Sequence, residues 1–207
     1  MGWVLAKVYD PIMQGSERAC LGAWRASLLA DVGGRVLEIG AGTGRSLPHY
    51  SEAITQLVLL EPDPHMRRRL VRRVPARLAG VAEVVPGDAA QLAFDDGSFD
   101  AVVSSLVLCS VSDLPGTLAE LHRVLAPGGR LVFVEHVADD ARPGRLRWQR
   151  RLEPVWKRLV GGCHLTRRTH DAIADAGFVV ESLTTESMRK ANPLVRHSVR
   201  GIAVKPG

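Results

Sequence analysis

Residues 36–44, Val-Leu-Glu-Ile-Gly-Ala-Gly-Thr-Gly, constrain the fold of this chain more than any other segment. An apolar run that ends in a glycine-rich turn predicts a buried strand leading into a ligand-binding loop. Glycine lets the backbone turn sharply and approach a ligand with no side chain in between. The spacing Glu-x-Gly-x-Gly-x-Gly differs from the Gly-x-Gly-x-x-Gly of dinucleotide-binding enzymes. It therefore argues against a cofactor held through its pyrophosphate.

Strand and helix patterns alternate along the rest of the chain. Strands are predicted at 35–39, 57–60, 82–86, 101–104, 130–135, 178–185 and 197–204. Helices are predicted at 10–30, from about 44, from 64, at 113–125, at 146–160 and from a Thr166 cap to 176. This alternation predicts an α/β fold with a mostly parallel sheet and helices on both faces. In helix 146–160 the apolar residues share one face, namely Trp148, Leu152, Val155, Trp156 and Leu159.

Length and composition fit one soluble domain over residues 1–207. Apolar runs are too short to span a membrane, and the N-terminus lacks a secretory signal pattern, so a cytoplasmic location is expected. The three cysteines have neither disulfide-framework nor zinc-site spacing, so no metal site is predicted.

The net charge of +5 comes largely from arginine-rich segments at 67–77 and 142–158. They are typical of solvated helix faces, although peripheral contact with an anionic membrane surface stays open. A non-catalytic binder using these faces is one alternative function. No nucleic-acid-binding motif is present, so no nucleic-acid partner is expected.

Polar residues cluster where the predicted strands end. They are Glu38 and Gly40–Gly44 at the end of strand one, Glu61 at the end of strand two, Asp88 at the end of strand three, Ser104 and Ser105 at the end of strand four, and Glu135 and His136 at the end of strand five. In open α/β sheets ligands bind at this edge, where the strand order reverses. The sequence therefore predicts one site built from several strand ends.

The ordered motifs at 37–44, 61–63, 87–89, 94–100 and 121–129 resemble those of class I S-adenosylmethionine-dependent methyltransferases. The resemblance implies a Rossmann-like, seven-stranded sheet whose last strand is antiparallel. It also implies an N-terminal helical cap over 1–32 and an inserted helix within 140–166 that roofs the acceptor site. The cofactor implied is S-adenosylmethionine, converted to S-adenosylhomocysteine. Its predicted contacts are Glu38, Gly40, Ala41, Gly42, Gly44, Glu61, Pro62, Met66, Asp88, Ala89, Ser104 and Ser105.

Roles for four of these residues follow from their chemistry. Glu61 is predicted to accept both ribose hydroxyls, and Met66 to pack on the adenine face, where a thioether is favourable. Asp88 is predicted to accept from the adenine amino group, and Ala89 to offer its backbone N–H. For Met66 an ordinary core position is the alternative.

A narrower resemblance lies in the second half of the chain. Its segments are Ser-Leu-Val-Leu-Cys-Ser-Val at 105–111, Glu-His-Val at 135–137, Trp-Gln at 148–149, Glu-Pro and Trp-Lys between 153 and 157, and Gly-Cys and Leu-Thr-Arg between 162 and 167. They are similar to the methyltransferase-like-seven proteins, which are microsomal alkyl-thiol methyltransferases, and to small bacterial relatives. No counterpart of the membrane anchor of the microsomal proteins is expected in this chain, so membrane residence is not carried over.

This resemblance implies methyl transfer to a small, fairly apolar thiol. The predicted acceptor pocket contains Tyr9, Cys109 and Trp156, with His136 and His164 as candidate general bases. A structural role is the alternative for each histidine. Phenol, quinol or lipid-amine acceptors stay open, as does a nicotinamide-dependent oxidoreductase on the same kind of sheet. A small-molecule partner and a monomer or homodimer are expected.

Overall fold

The computed structural model describes residues 3–207, with side chains from Val8 onward. The part of the predicted N-terminal cap at Met1 and Gly2 lies outside the described residues. Within the part described, seven strands form one sheet. They are β1 (Gly34–Ile39), β2 (Ile54–Leu60), β3 (Ala82–Val85), β4 (Phe99–Ser105), β5 (Leu125–His136), β6 (Val179–Ser187) and β7 (His197–Val204).

Helices pack on both faces of this sheet. Their bounds are α1 (Trp3–Ser16), α2 (Gly22–Leu29), α3 (Pro64–Arg73), α4 (Leu114–Val124), α5 (Pro143–Leu159) and α6 (Thr169–Asp175). A π-helical turn, Glu17–Leu21, joins α1 to α2. No helix among residues 3–207 has both the length and the apolarity needed to cross a bilayer.

The strand order is β3-β2-β1-β4-β5-β7-β6. Strands β1 to β5 pair in parallel, whereas β7 is antiparallel to both β5 and β6. The predicted sheet with an antiparallel last strand is confirmed. The order reverses between β1 and β4, which opens a crevice at their carboxyl ends.

The core has one layer on each face of the sheet because successive strand residues point to opposite sides. Leu37 of β1 packs in the layer under α4 and α6, which includes Leu118 and Ile173. Its neighbour Val36 packs in the opposite layer with Leu70 of α3. Both layers are built around clusters of closely packed apolar side chains, so the sheet is a rigid support for the loops at its edge.

The predicted helix beginning near Gly44 is wrong. Residues 45–50 form a loop with only a short 3-10 turn, Leu47–His49. Arg77 donates to the carbonyl oxygens of Leu47 and Tyr50, both at 2.8 Å. These side-chain bonds stabilise the loop, and Pro48 within it cannot donate a backbone hydrogen bond.

The prediction that Thr166 caps the next helix is also wrong. Helix α6 begins at Thr169, after Arg168 at the N-cap position. The Thr166 hydroxyl instead donates to Glu153 of α5. The Thr166 hydroxyl was expected to accept hydrogen bonds from backbone N–H groups of the helix. It is bound instead to a side chain of α5.

The apolar face of α5 is not covered in this structure. Trp148 is 54% exposed, Val155 58% and Leu159 72%. The helix buries Gln149 instead, which donates to the Leu194 carbonyl at 2.9 Å and accepts from Asp139 N at 2.9 Å. This helix was predicted to roof the acceptor site. On its apolar face only Leu152 and Trp156 are partly buried.

Candidate functional site

The glycine turn closes the end of β1 and touches the loop that follows β4. Gly40, Gly42 and Gly44 have φ angles of 54°, 58° and 84°. A Cβ atom on Gly40 would lie 2.6 Å from the Cγ2 atom of Val107. Glycine is required there for both reasons, because positive φ is strained for other residues and no space is free.

Glu61, at the end of β2, meets this turn. Its Oε2 atom accepts a hydrogen bond from Gly42 N at 2.8 Å, and its Oε1 atom accepts from Asp63 N at 2.8 Å. Burial raises the pKa of the Glu61 carboxyl despite these two bonds. The structure thus brings together the two sequence features on which the predicted cofactor site depends.

Glu38 is buried beneath the turn. Its carboxylate accepts from the Ser46 hydroxyl at 2.6 Å and from the Tyr50 hydroxyl at 2.9 Å. Burial raises the pKa of Glu38 to about 6. Both oxygens therefore stabilise the 45–50 loop from within the chain, and a direct contact of Glu38 with the cofactor stays a prediction.

Replacing Glu38 by glutamine tests this buried carboxyl. Because the folded pKa lies above the unfolded value, its contribution to stability is present below about pH 4.5 and is lost as the pH rises through about 6. The loss is about 2 kcal/mol. We expect the free energy of unfolding of the wild type to fall by that amount relative to Glu38→Gln over this range, since glutamine does not titrate. Urea unfolding of both proteins at a series of pH values checks this. Unfolding free energies that change with pH in the same way in both proteins would contradict it.

The other predicted cofactor contacts occupy the neighbouring strand ends. Ala41 N donates to the Leu60 carbonyl at 3.0 Å, so the turn is bonded to the end of β2. Pro62 and Asp88 are exposed, whereas Met66 and Ala89 are buried. Their roles toward adenine stay predictions.

The two serines near the end of β4 are already engaged within the chain. Ser104 donates from its hydroxyl to Glu135 Oε1 at 2.8 Å. Ser105 accepts from Arg25 Nε at 3.2 Å. Arg25 is a buried cation on α2 and pairs with Glu17 at 2.5 Å. This ion pair was not apparent from the sequence, because its members are eight residues apart on one predicted helix, whereas side chains that pair along a helix are three or four apart.

Helix α1 is fastened to the glycine turn by Asp10. This carboxylate accepts from Thr43 Oγ1 at 2.7 Å, from Arg45 Nε at 3.1 Å and from Arg73 at 2.5 Å. Burial acts to raise the pKa of Asp10, but the hydrogen bonds from Arg73 and Thr43 outweigh it and lower that pKa. The part of α1 that carries Tyr9 is therefore tied to the glycine turn, and the place of Tyr9 in the acceptor pocket stays a prediction.

Glu135 organises the loop after β4. Besides Ser104, its carboxylate accepts from the backbone N–H groups of Val107, Leu108 and Cys109 at 3.0, 3.0 and 3.1 Å. Four donors thus converge on one side chain that is 0% exposed. This loop carries Cys109, so Glu135 positions one wall of the predicted acceptor pocket.

Three chemically reactive side chains meet beside this loop. Their ligand-type atoms, on Cys109, His136 and Cys163, all lie within 4.8 Å of one another. His136 Nε2 is 2.8 Å from Cys163 Sγ, and the indole of Trp156 donates to the same sulfur at 3.2 Å. The hydrogen bond from Cys109, followed by those from His136 and Trp156, lowers the pKa of Cys163, whereas the pKa of Cys109 is raised. Cys109, His136 and Trp156 were predicted for the site; Cys163 was not.

His164 lies next to this cluster in sequence but has a different partner. Its Nδ1 atom is 3.0 Å from Glu153 Oε1. Burial lowers the pKa of His164, and the positive charge of Arg167 adds to this effect. The two histidines that were predicted as bases therefore have separate environments.

Several arginines of the first basic segment have structural partners. Arg67 donates to the carbonyl of Glu61 at 2.7 Å, and Arg73 donates to the carbonyl of Thr43 at 3.1 Å. These residues stabilise the loops of the candidate site. That use was not apparent from the sequence, where the segment resembles a solvated face.

The chain is similar to known methyltransferases in both sequence and fold. Residues 37–133 match the family described as methyltransferase domain. The chain is 35% identical over 172 residues to the thiol S-methyltransferase TMT1A of Homo sapiens, covering 82% of this chain and 70% of that protein. It is 41% identical over 147 residues to the thiol S-methyltransferase TMT1B of Homo sapiens, covering 69% and 59%. The chain therefore spans 59% to 70% of these two relatives.

Among solved structures, the fold is similar to that of an S-adenosylmethionine-dependent methyltransferase from Thermotoga maritima, described as a possible histamine N-methyltransferase. The TM-score is 0.71 at 23% identity, over 98% of this chain and 97% of that chain. At this identity the likeness shows the fold alone. Together with the match to 70% of TMT1A, these findings show that the chain belongs to the thiol S-methyltransferase family of class I S-adenosylmethionine-dependent methyltransferases.

Proposed function

We propose that this chain transfers a methyl group from S-adenosylmethionine to the thiol of a small, fairly apolar molecule. The observation that carries the proposal is the 35% identity to TMT1A over 82% of the chain. The contact between Gly42 and Glu61 supports it, because this contact joins the backbone turn to the carboxylate that the cofactor needs.

The residues present fit the cofactor. A Cβ atom added to Gly42 would meet no other atom closer than 3.8 Å, so the backbone is open to a ligand there. Glu61 would accept the ribose hydroxyls, Asp88 the adenine amino group, and the turn at 40–44 would face the amino-acid part. When bound, S-adenosylmethionine supplies the methyl group: an acceptor S–C bond forms, the sulfonium S–C bond breaks, and the acceptor thiol loses its proton.

The chain's own contribution is to orient the acceptor and to exclude water. Such transfer disperses opposite charges, so a dry pocket favours it, and alignment supplies much of the rate. Tyr9, Cys109 and Trp156 would form the walls of that pocket. Cys109 is 2% exposed, and Tyr9 and Trp156 are partly buried, which supports this role.

Proton removal is assigned to a histidine. His164 has a lowered pKa and a carboxylate partner, so its ring is neutral near pH 7 and able to accept a proton. His136 instead pairs with Cys163. A thiol of ordinary pKa needs only modest assistance from either one.

Assays with labelled methyl donor test the acceptor class. We expect small apolar thiols to be methylated, and phenols, quinols and amines to react at least about 100-fold more slowly, because phenols and amines lose protons less readily at neutral pH. S-adenosylhomocysteine, but not NADH, should raise the melting temperature of the folded protein. Turnover of phenols or quinols alone would overturn the thiol assignment and leave the methyltransferase assignment intact.

A further inference from the structure

We propose that Cys109, His136 and Cys163 form a binding site for one Zn²⁺ ion. The three residues come from the loop after β4, from the last residue of β5 and from the segment after α5. Their ligand-type atoms lie within 4.8 Å of one another, and the residues are only 2%, 5% and 6% exposed. Three separate elements thus place two sulfurs and one imidazole at a single buried point.

The geometry suits a tetrahedral ion. With Zn–S and Zn–N bonds of about 2.3 and 2.0 Å, ligand atoms in such a site are separated by about 3.5–3.8 Å. In this structure His136 Nε2 lies 2.8 Å from Cys163 Sγ, and all three ligand atoms lie within 4.8 Å of one another. Shifts of about 1 Å, within the reach of side-chain rotation, would bring all three atoms to zinc.

The ligand chemistry selects the metal. Thiolate and imidazole groups suit zinc, whereas Mg²⁺ and Ca²⁺ prefer oxygen ligands, and the cluster holds no oxygen ligand among its members. Two cysteine thiolates would balance the charge of one Zn²⁺ ion. Before an acceptor binds, the centre would therefore be neutral, which is the form that a buried position favours, since unpaired charge is costly there.

Neighbouring groups hold the ligands in place. The Trp156 indole donates to Cys163 Sγ at 3.2 Å, as outer partners of thiolate ligands do. The backbone N–H of Cys109 is fixed by Glu135 at 3.1 Å, and its carbonyl accepts from His164 N at 2.8 Å. These contacts pre-organise the site before any ion enters.

Three protein ligands leave the fourth position of a tetrahedral zinc ion open. The loop that bears Cys109 also packs against the glycine turn through Val107, so the cluster borders the proposed methyl-transfer site. The acceptor thiol is the fourth zinc ligand in this proposal. This part of the inference rests on the proposed function. Zinc would then hold the acceptor as a thiolate, because a coordinated thiol loses its proton, and His164 would accept that proton as the base proposed above.

Metal analysis of the purified full chain, after exposure to Zn²⁺ and removal of loose metal, is the first test. We expect about one zinc per chain in the wild type and at least a tenfold loss in Cys109→Ser and in Cys163→Ser. Cys20→Ser is the matched control, because Cys20 is also buried but lies in another cluster with Trp24 and Met188. Wild-type protein that folds yet takes up no zinc, or serine variants that keep it, would overturn the site.

A second measurement needs no variant. Co²⁺ added to the folded wild type should give the sulfur-to-metal charge-transfer bands of a tetrahedral thiolate site. Zinc at about one hundred times its dissociation constant should raise the melting temperature by roughly 5–10 °C. A cobalt spectrum without sulfur bands contradicts the proposal even if the serine variants fail to fold.

Removing the metal with a chelator separates this proposal from the proposed function. We expect S-adenosylhomocysteine binding to persist and thiol methylation to fall at least tenfold, with recovery on adding one equivalent of Zn²⁺. If zinc binds but its removal leaves methylation unchanged, zinc does not hold the acceptor thiol, although the zinc site itself stands. Zinc binding with no thiol methylated in any metal state would remove the proposed function instead.

Discussion

Replacing Glu61 by alanine is expected to weaken S-adenosylhomocysteine binding by about 100-fold or more. The substitution removes the carboxylate that would accept the ribose hydroxyls, and hydrogen bonds to a charged group contribute about 1.5–3 kcal/mol each. It also frees the N–H groups of Gly42 and Asp63, which Glu61 holds at 2.8 Å. The glycine turn then loses its connection to β2 through this side chain. Isothermal titration calorimetry measures the change directly.

The matched control for this variant is Glu83→Ala. Glu83 lies on the adjacent strand β3 and is exposed, so its removal should leave affinity within about twofold. Circular dichroism establishes that both variants are folded. Equal affinities for wild type and Glu61→Ala would show that the ribose is held elsewhere, and the proposed cofactor site would have to be abandoned.

Glu135→Ala is expected to cost about 3–5 kcal/mol of folding free energy. The change strands four buried donors, and each unsatisfied donor costs about 1–3 kcal/mol. Burial raises the pKa of Glu135, which shows that the carboxylate is itself costly to bury, so its removal offsets part of this loss. Chemical denaturation measures the net change.

The loss of stability in Glu135→Ala should affect the loop after β4 in particular, as well as the fold as a whole. Hydrogen exchange of the Val107, Leu108 and Cys109 amides should accelerate in Glu135→Ala more than exchange in β1. Glu181→Ala, an exposed glutamate on β6, is the control and should change stability by less than about 0.5 kcal/mol. Unchanged exchange at these three amides would refute the role of Glu135 as the organiser of the loop.

The sheet could be predicted from the sequence because its strands carry local signals. The apolar runs of β1 and β2 each end at an acidic residue, Glu38 and Glu61, and β7 was predicted with its observed bounds, His197–Val204. The start of β5 was predicted five residues late, at 130, because Pro127 and two glycines resemble a loop. There the backbone of Gly128 and Gly129 bonds to Lys205, a partner far along the chain.

The site was only partly predictable because its contacts are long-range. Cys109, His136 and Cys163 are far apart in sequence and follow no metal-ligand spacing, so their meeting depends on how β4, β5 and α5 are placed. The pattern of α5 predicted one apolar face but could not say what covers it, and Trp148 is exposed. The role of Asp10 was not predictable either, since its three partners lie 33, 35 and 63 residues further along the chain.

The contact between Gly40 and Val107 limits how acceptor preference can be redesigned. The methyl groups of Val107 fill the space where a side chain at position 40 would lie. A bulkier residue at 107, chosen to reshape the acceptor side, would press directly on the backbone that we propose faces the methyl donor. Libraries that alter acceptor scope should therefore keep Val107 and vary positions such as Tyr9, which lies on helix α1 and not in this loop.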